Sequence, residues 1–271
     1  MKRVQIAFIA LVSLMASSVV AMEQKPAHGN IWDAGSFGIF LNGKRVGTER
    51  FEIQQKSSSS LTVSEFDLQS GKFKADQKAE MELQPNGDLK SYDWQETVPQ
   101  KEESKVDVKD QLLVEHVIPA GQKEVDIPHF LSSSTVILDD NFFSQREVLL
   151  WHYLATCSRK PAELACKPKT FAVLIPQQHT SLNATMRLLG EEKVEQNGLE
   201  QELTKVELDM RSPQQIFWLN EKTKDPDTRW ILWADEHYRI IKFTVPGTNI
   251  QVLRDPGTND VSMGSLQAPQ K

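Results

Sequence analysis

Apolar and polar residues alternate strictly along Lys72-Phe-Lys-Ala-Asp-Gln-Lys-Ala-Glu-Met-Glu-Leu-Gln84. The odd positions are apolar with one exception, Gln77, and the even positions are charged or amide side chains throughout. Successive side chains of a β-strand point to opposite faces, so a period of two indicates a strand. The segment therefore predicts a strand in a sheet that is covered on one face and open to water on the other.

Similar segments of strand length flank this one and are separated by residues that favour turns. Asn42-Gly43 divides Gly35–Leu41 from Arg45–Gln55, and Asn-Gly is a favoured pair in two-residue hairpins because both residues tolerate positive φ. Further turn residues recur at Ser70-Gly71, Pro85–Asp88, Ala120-Gly121, Asn197-Gly198 and Pro246-Gly247. About a dozen strands joined by short links predict a mainly antiparallel meander.

One segment has the period of a helix instead. Ser144 precedes Glu147 by three positions, which predicts a capping box, and Phe143 is placed to contact Val148 as a hydrophobic staple. An apolar stripe continues to Cys157. We therefore predict a mainly β fold: a curved antiparallel meander that forms a half-barrel, with one helix at about 144–157 packed on its concave side.

Length and composition are those of a folded domain. The chain has 271 residues, of which 39% are hydrophobic and 25% charged, and its formal net charge is −6. The acidic balance argues against nucleic acid as a partner. We expect a single β-rich domain over residues 35–254, followed by a flexible tail over 255–271 that carries little apolar material.

The first residues have the pattern of an export signal. A basic start, Met1-Lys2-Arg3, precedes an apolar run to Val20, and small residues stand at −3 and −1 of a cut after Ala21. We predict a signal peptide over 1–21, a leader over 22–34, and a mature protein in the periplasm or outside the cell. The alternative is that the segment stays uncleaved as an anchor.

Export changes how the two cysteines, Cys157 and Cys166, are interpreted. In an oxidising compartment a local disulfide is the expected state of such a pair. Their spacing does not suit a Cys-x-x-Cys redox pair, and two cysteines cannot make a four-cysteine zinc site. We expect neither a metal nor a cofactor.

Candidate catalytic residues are few. The sequence has no phosphate loop, dinucleotide motif, His-Glu-x-x-His or Gly-x-Ser-x-Gly. Asp139, Asp140 and His152, with His129 nearby in sequence, surround the predicted helix and are the residue types of general acid–base catalysis. Helix capping explains the two aspartates without chemistry and is the favoured interpretation.

Aromatic residues concentrate late in the chain, at Phe217, Trp218, Trp230 and Trp233. Neighbours in sequence such as Phe217 and Trp218 cannot share one face of a strand, so both faces carry rings there. Core packing is one explanation. A groove for an apolar ligand is the other, and a curved sheet covered by a helix forms such a groove readily.

Two stretches resemble a known group of proteins. Gly38–Phe51, with the turn Asn42-Gly-Lys-Arg-Val-Gly-Thr-Glu49, resembles the opening hairpin of a family of uncharacterised exported bacterial β-rich proteins, and Trp230–Arg254 resembles the final hairpin of the same family. The resemblance implies a curved antiparallel half-barrel, distantly similar to the periplasmic lipoprotein-localisation carriers. The family has no assigned activity.

Three hypotheses of function follow. The first is a non-catalytic envelope protein that binds a lipid or another apolar molecule on the concave face, through the four aromatic residues at 217, 218, 230 and 233. The second is an envelope hydrolase that uses Asp139, Asp140 and His152. The third is a scaffold that pairs with an envelope protein partner through an exposed strand edge.

Overall fold

The computed structural model describes residues 30–71, 73–160, 163–196, 199–210 and 229–257. Within these ranges 17 strands surround one α-helix, which confirms the predicted mainly β fold. In chain order the elements are β1 (Asn30–Leu41), β2 (Lys44–Gln55), β3 (Ser60–Ser70), β4 (Phe73–Leu83), β5 (Leu89–Val98), β6 (Glu102–Lys109), β7 (Leu112–Ile118), β8 (Val125–His129), β9 (Val136–Ile137), α1 (Phe143–Leu154), β10 (Ser158–Lys160), β11 (Glu163–Ala165), β12 (Lys169–Ile175), β13 (Thr180–Gln196), β14 (Leu199–Asp209), β15 (Arg229–Ala234), β16 (Ile240–Thr244) and β17 (Ile250–Arg254).

Fifteen of these strands form one sheet in the order β8-β7-β6-β5-β4-β3-β2-β1-β17-β16-β15-β14-β13-β12-β9. Neighbours pair antiparallel except β9, which runs parallel to β12. The first and last described strands, β1 and β17, pair in the middle of the sheet. The two edges, β8 and β9, are consecutive in the chain and are joined by residues 130–135.

The sheet curves so that distant strands approach each other. The backbone N–H of Leu89 on β5 donates at 2.7 Å to the oxygen of Ser133, in the connection between β8 and β9. His179, in the connection between β12 and β13, lies 2.7 Å from Glu115 on β7. These bonds join the two halves of the meander, and the result is the predicted half-barrel.

The alternation along β4 has the predicted consequence. Odd residues such as Ala79 and Met81 are buried and even residues such as Lys78 and Glu80 are exposed or half-exposed. Gln77, the polar exception on the apolar face, is also buried. Its burial requires hydrogen-bond partners inside the sheet.

Helix α1 lies on the concave side, but the predicted capping box is wrong. The N-cap is Phe142, which makes no side-chain capping bond. The side chain of Ser144 bonds to Glu49 instead, at 2.6 Å. Glu49 reaches from β2 and accepts the Phe143 N–H at 2.6 Å, so a carboxylate distant in sequence caps the buried helix start.

Aromatic rings fill the space between the helix and the central strands. Phe37 stacks on Phe51 with ring centroids 5.1 Å apart. Phe143 packs against Phe243 at 5.4 Å and against Trp230 at 5.9 Å. The middle of the concave face is therefore occupied by the protein's own side chains.

A buried ion network joins the helix to β1 and β17, the first and last described strands. Arg254 on β17 donates to Asp33 on β1 at 2.6 Å and to Glu147 on α1 at 2.7 Å. Burial raises the pKa of Glu147 well above its ordinary value. Asp33 is also buried, but hydrogen bonds from Glu147 and Arg254 hold its pKa below the ordinary value.

The predicted disulfide is present. Cys157, just after α1, is bonded to Cys166, and their Cα atoms are 4.5 Å apart. The bond spans the small hairpin of β10 and β11. It limits the conformations of the unfolded chain over a nine-residue separation.

Some predicted segments lie outside the described residues: the signal peptide, Phe217, Trp218 and the tail beyond residue 257. Residues 30–34, which we assigned to the leader, form the start of β1. In the described part of the chain, no helix has the length and apolar character needed to cross a membrane.

We predict that Arg254→Met lowers the free energy of unfolding by about 3–5 kcal/mol, because it leaves buried carboxyl groups without their cation. Urea denaturation of the purified domain measures this. Arg45→Met is the matched control: Arg45 pairs with Asp255 at the surface, and loss of such a pair costs at most about 1 kcal/mol. Equal losses in the two variants would contradict the structural role of the network.

Candidate functional site

A cleft of about 550 Å³ opens on the concave side, between β4, β5, β6 and the segment that enters α1. A 3-10 turn at Pro176–Gln178, after β12, forms its far wall. The lining is mostly amide and carboxyl side chains. The amide residues are Gln77, Gln100, Asn141, Gln177 and Gln178, and the carboxyl residues are Glu96, Glu102 and Asp140. The other two are Trp94 and Pro99.

Gln77 is the centre of the amide cluster. It donates to Glu96 at 2.7 Å, and its carbonyl oxygen accepts the NH₂ groups of Asn141 and Gln177, each at 2.9 Å. Gln178 donates in turn to Asp140 at 2.5 Å. Four amide NH₂ groups are thus bonded within the protein.

Two carboxyl groups of the cleft stand opposite each other. Glu96 on β5 pairs in register with Glu102 on β6, an arrangement that places like charges opposite each other. Burial raises the pKa of Glu96, and the charge of Glu102 raises it further. Burial also raises the pKa of Asp140. The titratable groups among the described lining residues are therefore all acidic.

Trp94 forms part of the wall between these groups. Its side chain is 3% exposed. Its indole N–H has no hydrogen-bond partner in the described part of the chain. A buried donor without a partner is rare in folded proteins and calls for an explanation.

Asp139 lies behind the cleft and is fully buried. It accepts the Tyr92 hydroxyl, and it accepts the Gln177 N–H at 2.9 Å. Burial raises the pKa of Asp139 to about 7, although both hydrogen bonds favour its charged form. The side chain fixes the 3-10 turn that carries Gln177 and Gln178 into the cleft.

Two histidines and a buried glutamate adjoin the cleft. Glu115 is bonded to His129 at 2.8 Å, to His179 at 2.7 Å and to Ser104 at 2.8 Å. Burial alone would raise the pKa of Glu115, but these hydrogen bonds outweigh burial and lower it. The hydrogen bond to Glu115 raises the pKa of His179. This cluster links β7 and β8 to the connection between β12 and β13.

The structure separates the candidate catalytic residues. Asp140 lines the cleft and Asp139 lies behind it. His152 instead packs against Gly87, so closely that a Cβ added to this glycine would lie only 2.5 and 2.6 Å from two atoms of the imidazole ring. His152 is the tenth residue of the helix, so it lies about 15 Å along the helix axis from the helix start, which Asp139 and Asp140 precede. His129 bonds Glu115 rather than either aspartate.

Capping is not the role of Asp139, and Glu49 caps the helix start. Asp139 accepts from Tyr92 and Gln177, and Asp140 accepts from Gln178. The local sequence suggested capping because the two aspartates precede the helix. A carboxylate on β2, distant in sequence, occupies that position instead.

The two described members of the predicted aromatic groove face opposite ways. Trp230 is buried in the core between Phe143 and Phe243. Trp233 lies on the outer face, where Lys205 and Lys242 cover its ring and Glu192 accepts its N–H at 3.2 Å. Sequence reasoning missed Trp94, which lines the cleft. Gln77, the polar interruption of the strongest alternating pattern, was the signal that could have located it.

The described residues include one group of side chains that could hold a metal ion: His116, Glu124 and Asp126, whose ligand atoms lie within 4.8 Å of one another. The group lies on β7 and β8 and in the turn between them, and both carboxylates are exposed. His116 bonds Asp126 directly at 2.7 Å. This hydrogen bond accounts for the group without an ion.

The comparisons with known proteins identify a fold. No protein-family model and no curated protein matches the chain. A crystal structure of a β-barrel-like protein, a domain of unknown function named DUF1849, from Brucella abortus, aligns with a TM-score of 0.50 over 84% of this chain and 97% of that one. The sequences are 10% identical. The likeness is one of fold alone. It agrees with the resemblance to uncharacterised β-rich proteins and carries no activity.

We predict that Asp139→Asn changes how stability depends on pH. The folded-state pKa of about 7 exceeds the ordinary aspartate pKa of 3.8, so the folded protein retains a proton that the unfolded chain has lost. The stability due to this proton is fully present below about pH 4 and is lost as the pH rises through about 7.

The asparagine variant has no such proton. The difference in unfolding free energy between wild type and variant should therefore change by up to about 1.4 kcal/mol per pH unit within that window. Urea denaturation from pH 4 to pH 8 measures the difference, with the exposed Asp67→Asn as control. Parallel pH curves for wild type and Asp139→Asn would refute the assignment.

Proposed function

We propose that this protein is an exported, non-catalytic binding protein that holds a small polar molecule in the cleft beside Gln77. The observation that carries the proposal is the cleft itself: a cavity of about 550 Å³ with converging polar groups and a buried indole donor. A cavity of this size is typical of small-molecule sites, and its lining, richer in polar groups than most, suits a polar ligand.

Export is supported by the disulfide and by the N-terminal sequence. A bond between Cys157 and Cys166 is stable in an oxidising compartment and uncommon in the cytosol. Residues 1–21 have the basic start, apolar run and small cleavage residues of a signal peptide. We propose the periplasm or the extracellular space as the location.

The cleft offers no serine, cysteine, histidine or lysine nucleophile, because none of these is among its described lining residues. Its titratable groups are the carboxyls of Glu96, Glu102 and Asp140, which we assign to ligand binding. His152 lies far from Asp139 and Asp140, so these three do not form an acid–base set.

An apolar ligand, our first hypothesis from the sequence, has a different requirement. The centre of the concave face is filled by α1 and by rings such as Phe37 and Phe143. A lipid bound there would have to displace side chains that are already packed at high density. The cleft is already open and needs no displacement of the helix or of these rings, so it is the preferred site.

The scaffold hypothesis has β8 as its candidate edge. Val125 is 53% exposed there, and Phe130, just after the strand, is 89% exposed. Pro128 lies within β8 and has no N–H to donate to an added strand. This edge is a weaker candidate for an interface than the cleft is for a ligand.

The test is native mass spectrometry of the protein purified from an oxidising compartment, with organic extraction of the same sample. We expect a chain that starts after residue 21, two hydrogens lighter for the disulfide, with an added small polar molecule. Gln178→Trp places a large ring at the exposed mouth of the cleft and should abolish the added mass. Gln69→Trp, on the outer face of β3, should not.

Two results would overturn the proposal. An acyl lipid that remains bound in Gln178→Trp would move the ligand to the concave face. A bare wild-type polypeptide that captures no small molecule from an envelope extract would favour the scaffold.

A further inference from the structure

The hydrogen-bonding groups that the cleft offers are mainly acceptors. The NH₂ groups of Gln77, Asn141, Gln177 and Gln178 are bonded to neighbours inside the protein. The Gln77 oxygen accepts two of these bonds, so the groups left for a ligand are mainly the amide oxygens of Asn141, Gln177 and Gln178 and the carboxyl oxygens of Glu96 and Glu102. A ligand that matches this lining must bring several hydrogen-bond donors.

The charge of the cleft excludes one large class of ligands. Glu96, Glu102 and Asp140 line it, and no lysine or arginine is among its described lining residues. A phosphate or carboxylate group would meet like charge with no cation to contact in the lining, which disfavours binding. Arg146, whose charge acts on Asp140, is fully buried and donates to backbone oxygens. The ligand is therefore neutral or cationic.

The indole N–H of Trp94 distinguishes a neutral ligand from a cationic one. Trp94 lines the cleft, and its indole N–H is buried and has no partner among the described residues. Because this N–H is shielded from solvent, a ligand reaches it only when a side chain that lines the cleft rotates. Such rotamer changes commonly accompany binding. An ammonium group has only donors and cannot accept this N–H, whereas a hydroxyl group both donates and accepts. A polyhydroxylated molecule satisfies the oxygens and the indole together.

We propose that the cleft binds a saccharide without negative charge, the size of a monosaccharide or disaccharide, whose hydroxyls donate to Glu96, Glu102 and the amide oxygens while one hydroxyl accepts the Trp94 N–H. This inference rests on the proposed binding function and names its ligand class. The volume of about 550 Å³ suits such a molecule.

Saturation-transfer NMR and calorimetry on the mature protein test the class. The probes are three saccharides without negative charge (maltose, the disaccharide of N-acetylglucosamine, and glucosamine), an anionic sugar (glucose 6-phosphate) and a polyamine (spermidine). We expect at least one of the first three to bind with a dissociation constant below about 10 mM, and neither of the last two to bind.

Matched variants locate the binding. Trp94→Phe keeps a ring and removes the N–H, and Glu102→Gln removes a carboxylate from the cleft. Each should weaken binding roughly tenfold, the effect of losing one hydrogen bond at a buried site. Trp233→Phe and Glu103→Gln make the same changes on the outer face and should leave binding unchanged. Circular dichroism verifies folding, and Glu102→Gln tests the cleft even if Trp94→Phe is unstable.

The outcomes separate this inference from the binding function. Spermidine or glucose 6-phosphate binding with the same sensitivity to Glu102→Gln would overturn the saccharide class and leave a binding protein. Saccharide binding that Trp94→Phe and Glu102→Gln do not weaken would place it elsewhere and overturn the inference. Absence of binding by all five probes overturns the class, and a bare chain in native mass spectrometry as well overturns both proposals.

Discussion

The structure depends on burying the polar first turn of its helix. Ser144, Gln145, Arg146 and Glu147 are consecutive and all buried, although a surface helix would expose at least part of such a turn. Each polar group without a partner in the interior would cost stability. Strands distant in the sequence supply most of the partners: Glu49 on β2 for Ser144, Tyr92 on β5 for Gln145, and Arg254 on β17 for Glu147.

That constraint also positions the cleft. Arg146 donates to the backbone oxygen of Asp139 at 2.9 Å, and Gln145 accepts the Asp139 N–H at 2.7 Å. Because these bonds fix the segment just before the helix, Asp140 and Asn141 are held at the rim of the sheet. The carboxyl group of Asp139 then fixes the 3-10 turn on the other side. The same buried turn therefore anchors the helix and orders two walls of the cleft.

Local patterns predicted the elements and failed wherever the partner was distant. The alternation along β4, the Asn42-Gly43 hairpin and the Cys157–Cys166 bond depend on residues near in sequence, and all three are present. The capping box of Ser144 and Glu147 also looked local, but those side chains bond Glu49 and Arg254, 95 and 107 residues away. Sequence spacing carries no information about which strand faces the helix, so the capping box was predicted where a tertiary contact exists.

The sequence contains a signal for the cleft, namely polar residues at inward-facing strand positions, but its meaning depends on how the strands are arranged in the sheet. Glu49, Gln77, Ser104 and Glu115 each replace an apolar residue on the inward face of a strand, on β2, β4, β6 and β7. A polar residue in such a place needs partners, and those partners determine what it does. Glu49 caps a helix and Glu115 joins the two halves of the sheet, so both are structural. Gln77 alone organises the amides of an open cleft, and this difference in partners singles it out as part of a binding site.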